Sequence, residues 1–177
     1  DRVLLYPKGG LPPRPAPMPQ VKYDYNNAME GLALEPKVAP DAYRIGVEST
    51  GATFVCRLST ACVADVRLDL EGLALSGLEV LPDGRIAYLL RDYDPKRGNT
   101  VRLKIADRQG KMIDGMELAR PLNVDNFEGV AAVPRRDGRI RFYLLVDDNF
   151  GVYSGKPTDQ RTLLMAFDWT PPGTTRP

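Results

Sequence analysis

Two segments of this chain copy one another, and that repetition restricts the fold more than any other feature. "GLEVLPDGRIAYLLRDYD" from Gly77 aligns with "GVAAVPRRDGRIRFYLLVDDN" from Gly129. In both, glycine precedes proline by five residues and Asp-Gly-Arg-Ile follows. "GLALEPKVAPDAYRIGVES" from Gly31 keeps the glycine–proline spacing and a similar following strand. The three glycines lie 46 and 52 residues apart, a period that suits the four-stranded blades of a β-propeller.

Local signals agree with an all-β reading. "YRIGVES", "ATFVCRL", "RIAYLLRD", "TVRLKIADRQG", "RIRFYLLVDD" and "RTLLMAFDW" are rich in β-branched, aromatic and aliphatic residues and are bounded by turn formers. "PDGR" at 82–85 and "RDGR" at 136–139 carry Asp-Gly, a strong hairpin signal. "DGMELARPLN" is expected to make one helical turn. The expected fold is β-propeller-like, with about three blades of four-stranded antiparallel sheet that form half of a larger propeller. Residues 1–20 hold the Pro-rich stretch "PKGGLPPRPAPMPQ" and are expected to form an extended arm, since proline fixes φ and lacks a backbone donor. Residues 21–170 carry the blades, and 171–177 form a fraying tail. Phe167 and Trp169 read as core, and Tyr23 and Tyr25 as one packed strand face.

The register matters for the polar residues. Glu-Gly-hydrophobic-Ala occurs at Glu30 and again at Glu71, which invites an alignment of those two glutamates. The Pro-Asp-Gly anchor instead places Ser76 at the repeat position, because it fixes the hairpin. Glu30, Ser76 and Glu128 are then equivalent, and Glu71 belongs to the preceding loop. Glu48, Arg91 and Asp147 fall at the ends of the following strands. In a propeller these positions meet at one face of the central channel.

Two acidic clusters, Asp125-Asn126-Phe127-Glu128 and Asp147-Asp148-Asn149, bracket one predicted hairpin. Like charges at close range repel, so either the clusters stand apart in solvent or a cation holds them. Calcium accepts six to eight oxygens in irregular geometry and suits such a set. The candidate metal ligands are Glu30, Glu48, Asp125, Asn126, Glu128, Asp147, Asp148 and Asn149. The other reading has these Asp and Asn side chains closing local turns on their own backbone. Glu128 or Asp147 would serve as ligand or base, and Arg91 and Arg161 would hold an anionic ester by their forked donors.

Composition removes several alternatives. The 177 residues contain no histidine, so Ser-His-Asp, Cys-His and His-ligated metal chemistry cannot be completed within the chain. "GVYSG" at 151–155 is not the G-x-S-x-G elbow. Net charge is +1, which gives no general field for nucleic acid, and the basic loop with Lys96, Arg97, Arg102 and Lys104 lacks an RNA-binding aromatic signature. No apolar run is long enough to span a membrane. Cys56 and Cys62 are too far apart for a C-x-x-C site and are either a disulfide or two reduced thiols. A disulfide implies an oxidising compartment such as a periplasm. Residue 1 is Asp, so the chain is expected to be processed, trimmed or part of something longer.

"DNFEGVAAVPRRDGRIRFYLLVDDNF" followed by "QRTLLMAFDW" resembles the bacterial family called esterase-like activity of phytase. "NNAMEGLALEP" with "YRIGVES", and "LSGLEVLPDGRIAYLLRDYD", resemble its earlier blades. The resemblance spans about residues 20–170. It implies an exported, periplasmic or secreted β-propeller with hydrolase activity and kinship to calcium-dependent phytases. It carries motif roles to Glu30, Glu48, Arg91, Asp125, Asn126, Glu128, Asp147, Asp148, Asn149, Gln160 and Arg161. It also implies that only the C-terminal half of such a protein is represented. An N-terminal half or another chain would then cover the open sheet edges. The leading expectation is a metal-assisted hydrolase of ester or phosphoester bonds. The rivals are a non-catalytic assembly subunit and a lactonase-like propeller.

Overall fold

The computed structural model describes residues 2–22, 28–118, 122, 124–153, 155–157 and 159–173. Tyr23 and Tyr25 lie outside them, as does the end of the tail. The chain is all-β, and among the described residues no helix is long and apolar enough to cross a membrane.

The first blade has β3 (Met29–Leu34), β4 (Ala42–Val47), β5 (Ala52–Arg57) and β6 (Cys62–Arg67), paired antiparallel in chain order. The second repeats this with β7 (Ala74–Val80), β8 (Ile86–Asp94), β9 (Gly98–Ala106) and β10 (Met112–Leu118). Among the described residues the third has β11 (Phe127–Pro134), β12 (Ile140–Val146) and β15 (Leu164–Trp169), three strands where four are expected. Between β12 and β15 lies a short β13–β14 pair (Val152–Tyr153 and Lys156–Pro157). Ahead of the blades, β1 (Leu4–Leu5) pairs with β2 (Arg14–Pro15), so the arm is a small hairpin and not a purely extended connector. The helical turn expected at 114–123 is replaced by β10 over its first half, because Met112–Leu118 completes the outer edge of β9, and most of its second half lies outside the described residues.

The Asp-Gly repeats close equivalent turns. Leu81 N–H donates to Arg85 O and Gly84 N–H to Leu81 O; Arg135 to Arg139 and Gly138 to Arg135 reproduce the pattern. Asp83 and Asp137 each accept the backbone N–H two residues on. Gly84 and Gly138 take the positive φ that the turn demands.

Blades pack face to face, with β7 beside both β3 and β11. Ile86, Tyr88 and Leu90 of β8 meet Ala33 and Leu68 of the first blade. Phe142, Leu144 and Val146 of β12 meet Leu81, Leu89 and Leu103 of the second. Phe167 and Trp169, expected in the core, are half-buried and pack against this second layer from its edge. Approach near the axis is close. A Cβ on Gly77 would lie 2.8 Å from Glu128 O, and one on Gly46 would run into the Leu75 side chain. Ser76 Oγ is 3.1 Å from Phe127 O and ties blade two to blade three.

Candidate functional site

The bulges place the site. The β3–β4 ladder skips between Met29 and Gly31, β7–β8 between Leu75 and Gly77, and β11–β12 between Phe127 and Gly129. The unpaired residues are Glu30, Ser76 and Glu128, the three positions that the repeat register makes equivalent. A bulge re-aims its side chain away from the regular alternation. Glu48, Arg91 and Asp147 follow the partners of the residues before each bulge. Glu71, in contrast, sits on the β6–β7 turn at positive φ and pairs with Arg102 and Lys104.

Glu30, Glu48, Arg91, Asp125, Asn126, Glu128, Asp147 and Asn149 line one cleft of about 950 Å³. Arg91 is its centre. Its Nη2 lies 2.8 Å from Glu128 Oε1 and 3.9 Å from Glu48 Oε1, joining all three blades. Burial pushes the Glu48 carboxyl up, Glu30 and Glu128 add to this, and Arg91 opposes it. Burial also raises Glu128, with Arg91 opposing and Asp147 and Glu30 reinforcing.

Hydrogen bonds unite the two acidic clusters. Asp147 N–H donates to Asn126 O at 2.9 Å, and the Asn126 amide donates to Glu128 Oε1 at 2.9 Å. Asp125 Oδ1 accepts from Asn126 N, Gln160 Nε2 and Asn99 Nδ2. Gln160 Oε1 in turn accepts from Asn149 Nδ2. Asp147 Oδ1 accepts from Asn149 N, so it also serves its own turn.

Two expected residues stand apart from the cleft lining. Asp148 caps the 149–151 turn through Phe150 N and accepts the Thr162 hydroxyl at 2.7 Å. Arg161 is exposed on the approach to β15. Sequence reasoning missed Asn99, Lys96 and Asp159, which share the cleft. Asn99 follows a loop that reads only as basic, and no local pattern links it to Asp125.

The donor set is entirely oxygen, which suits a hard divalent cation. Six carboxylates against two cationic side chains leave the lining strongly negative. Among the described residues, no three carboxylates are drawn together closely enough to hold an ion without rearrangement. Cys56 and Cys62 are disulfide-bonded, directly opposite one another on β5 and β6.

No curated protein and no solved structure matches the chain. A family model described as "Phytase-like: Esterase-like activity of phytase" matches residues 4–150. That span includes the arm and stops short of Gln160 and Arg161. With most of its length matched, the chain belongs to this phytase-like, hydrolase-like propeller family.

Proposed function

We propose that the cleft binds a divalent cation of the calcium type and hydrolyses a small anionic ester or phosphoester. The observation that carries this reading is the convergence of Glu30, Glu48, Asp125, Glu128 and Asp147 on one cleft. Six carboxylates against two cations repel a bare anion, so an anionic ester needs a cationic escort. Glu30, Glu128, Asp147 and the Asn126 carbonyl oxygen would hold the cation. Bound there, it would polarise the ester and make a bound water more acidic. Glu48, whose carboxyl burial pushes up, is suited to exchange a proton with that water, while Glu128 serves as ligand. Arg91 offers its fork to the anion, and Arg161 would reach it only from the rim. The disulfide supports a periplasmic or secreted setting.

A second reading rests on Arg91. Its contacts with Glu128 and Glu48 already offset charge without an ion. The cluster would then join blades in a non-catalytic assembly subunit. Calorimetric titration with calcium chloride separates the two, on wild type and on Glu128→Gln with Asp147→Asn. p-Nitrophenyl phosphate and p-nitrophenyl acetate report hydrolysis alongside. Binding lost in the double variant, with calcium-dependent turnover, is the expected result. Absence of binding in folded wild type removes the metal mechanism and leaves blade joining.

A further inference from the structure

Blade two reaches beyond the level at which blade one stops. Blade one turns back at once after Glu48: Gly51 N–H donates to Val47 O, and β5 starts at Ala52. Arg91 is the counterpart of Glu48, yet β8 runs on through Asp92, Tyr93 and Asp94 before β9 begins at Gly98. The added pairs are Asp92 with Thr100, Tyr93 with Asn99 and Asp94 with Gly98. Asp94 Oδ1 accepts the N–H groups of Lys96 and Arg97, each at 2.8 Å, and Gly98 takes a positive φ. The extension is thus a formed hairpin, and none of its residues from Asp92 to Thr100 enters the core.

Alternation decides which way it faces. Leu89, Val101 and Leu103 pack against blade three. Arg91 and Tyr93 continue that face from Leu89, and Asn99 continues it from Val101. Arg91 Nη2 reaches Glu128, and Asn99 Nδ2 lies 3.3 Å from Asp125 Oδ1. Tyr93 stands opposite Asn99 in the ladder and joins the cleft lining with Lys96 and Val124. Strand rise puts Tyr93 roughly 7 Å and the tip roughly 10 Å beyond Arg91.

The two basic residues of the tip differ. Arg97 lies 3.6 Å from Asp92 Oδ2 and 3.8 Å from Asp94 Oδ1, both on the hairpin itself. Lys96 lines the cleft, and among the described residues it makes no ion pair. Arg91, the other cation of the lining, is engaged by Glu128.

We propose that this hairpin selects the substrate: an anionic ester that carries an aromatic ring and a second anion remote from the reacting group. The inference rests on the function proposed above and names the substrate class of that same cleft. Tyr93 offers the ring an aromatic face and Lys96 pairs with the second anion. The carboxylates around Arg91 repel a second anion, which leaves the uncommitted ammonium at the tip as its partner. Tyr93 and Lys96 are specificity residues and take no part in bond cleavage.

Calorimetry in calcium chloride with phenylphosphonate and 4-carboxyphenylphosphonate tests this on the full chain. Their P–C bonds resist hydrolysis, so binding is read without turnover. Wild type should bind the carboxylated compound about 3–5-fold more tightly, the range of an exposed ion pair. Lys96→Gln should erase that preference. Arg97→Gln removes the same charge one residue away and should keep it. Tyr93→Ala should weaken both compounds by at least ~3-fold. Equal affinity of wild type for the two compounds overturns the inference and leaves the proposed function standing. A preference that survives Lys96→Gln, or that Arg97→Gln abolishes equally, overturns it in the same way. Folded wild type that binds neither calcium nor either phosphonate overturns the proposed function and this inference together.

Discussion

Arg91 Nη2 stands 2.8 Å from Glu128 Oε1, so the end of β8 in blade two is ionically joined to the bulge of β11 in blade three. The guanidinium offsets part of the carboxylate charge that the proposed cation would otherwise balance. Arg91→Gln should therefore strengthen calcium binding by about 10-fold, the equivalent of ~1.4 kcal/mol. It should also raise the Glu128 carboxyl further, since Arg91 is the larger of two lowering influences there, the Asn126 hydrogen bond being the other. Calorimetry measures the first effect and carboxyl titration by NMR the second. Weaker calcium binding in this variant would count against a cation held beside Arg91 by Glu128.

Glu48 gives a pH signature. Its carboxyl is raised in the folded state by burial, so the fold binds more protons than the unfolded chain above the ordinary glutamate range. Its contribution thus favours folding in acid and is lost as pH rises through the raised value. Glu48→Gln should melt ~1–2 °C above wild type at pH 8, for a gain of about 0.5 kcal/mol. The difference should vanish near pH 4. Thermal melts at the two pH values decide it.

Gly77 tests the blade contact. A Cβ there meets backbone Glu128 O at 2.8 Å and Val130 Cγ1 at 3.2 Å, and the backbone oxygen has no rotamer to yield. Gly77→Ala should cost about 1–3 kcal/mol, or roughly 3–10 °C in Tm. Gly72→Ala has open space and only a positive φ to oppose it, so about 1 kcal/mol is expected. Denaturant titration of the pair compares blade crowding with local strain.

Arg44 is buried, with its Nε 2.7 Å from the fully buried Glu35, whose other oxygen lies 2.6 Å from Arg108 Nη2 of the next blade. Arg44→Ala would leave a buried carboxylate with one partner. A loss of about 3–5 kcal/mol is expected. Chemical denaturation reads it, and a loss below 1 kcal/mol would show that Arg108 suffices.

The Cys56–Cys62 disulfide closes a short loop across the β5–β6 hairpin. The chain-entropy relation gives ~2 kcal/mol for a loop this short. Cys56→Ala with Cys62→Ala should lower Tm by roughly 4–8 °C. A reductant should do the same to wild type and nothing to the variant.

The sequence by itself determined the strands, the Asp-Gly turns, the repeat register and the equivalence of Glu30, Ser76 and Glu128. These follow from local spacing and from turns whose chemistry is written in four residues. The same register separated Glu71 from Glu30, and the ladder bulges agree with it. It also brought Glu48, Arg91 and Asp147 to matching strand ends.

Only the tertiary structure decided what those groups touch. Asp148 reads like Asp147 in sequence, yet alternation turns it to Thr162 and its own turn. Asn99 and Gln160 meet at Asp125 from distant strands, a contact that no local pattern encodes. Cysteine spacing left the disulfide open until β5 and β6 set the two residues opposite one another. The sequence expects a helical turn from Asp114 on, and over Asp114–Leu118 strand pairing overrode that preference because β9 offered an edge to complete. The exposed Leu32 and Leu145 carry no mark in the sequence to distinguish them from buried Leu78 and Leu89. What separates them is whether another blade stands beside them.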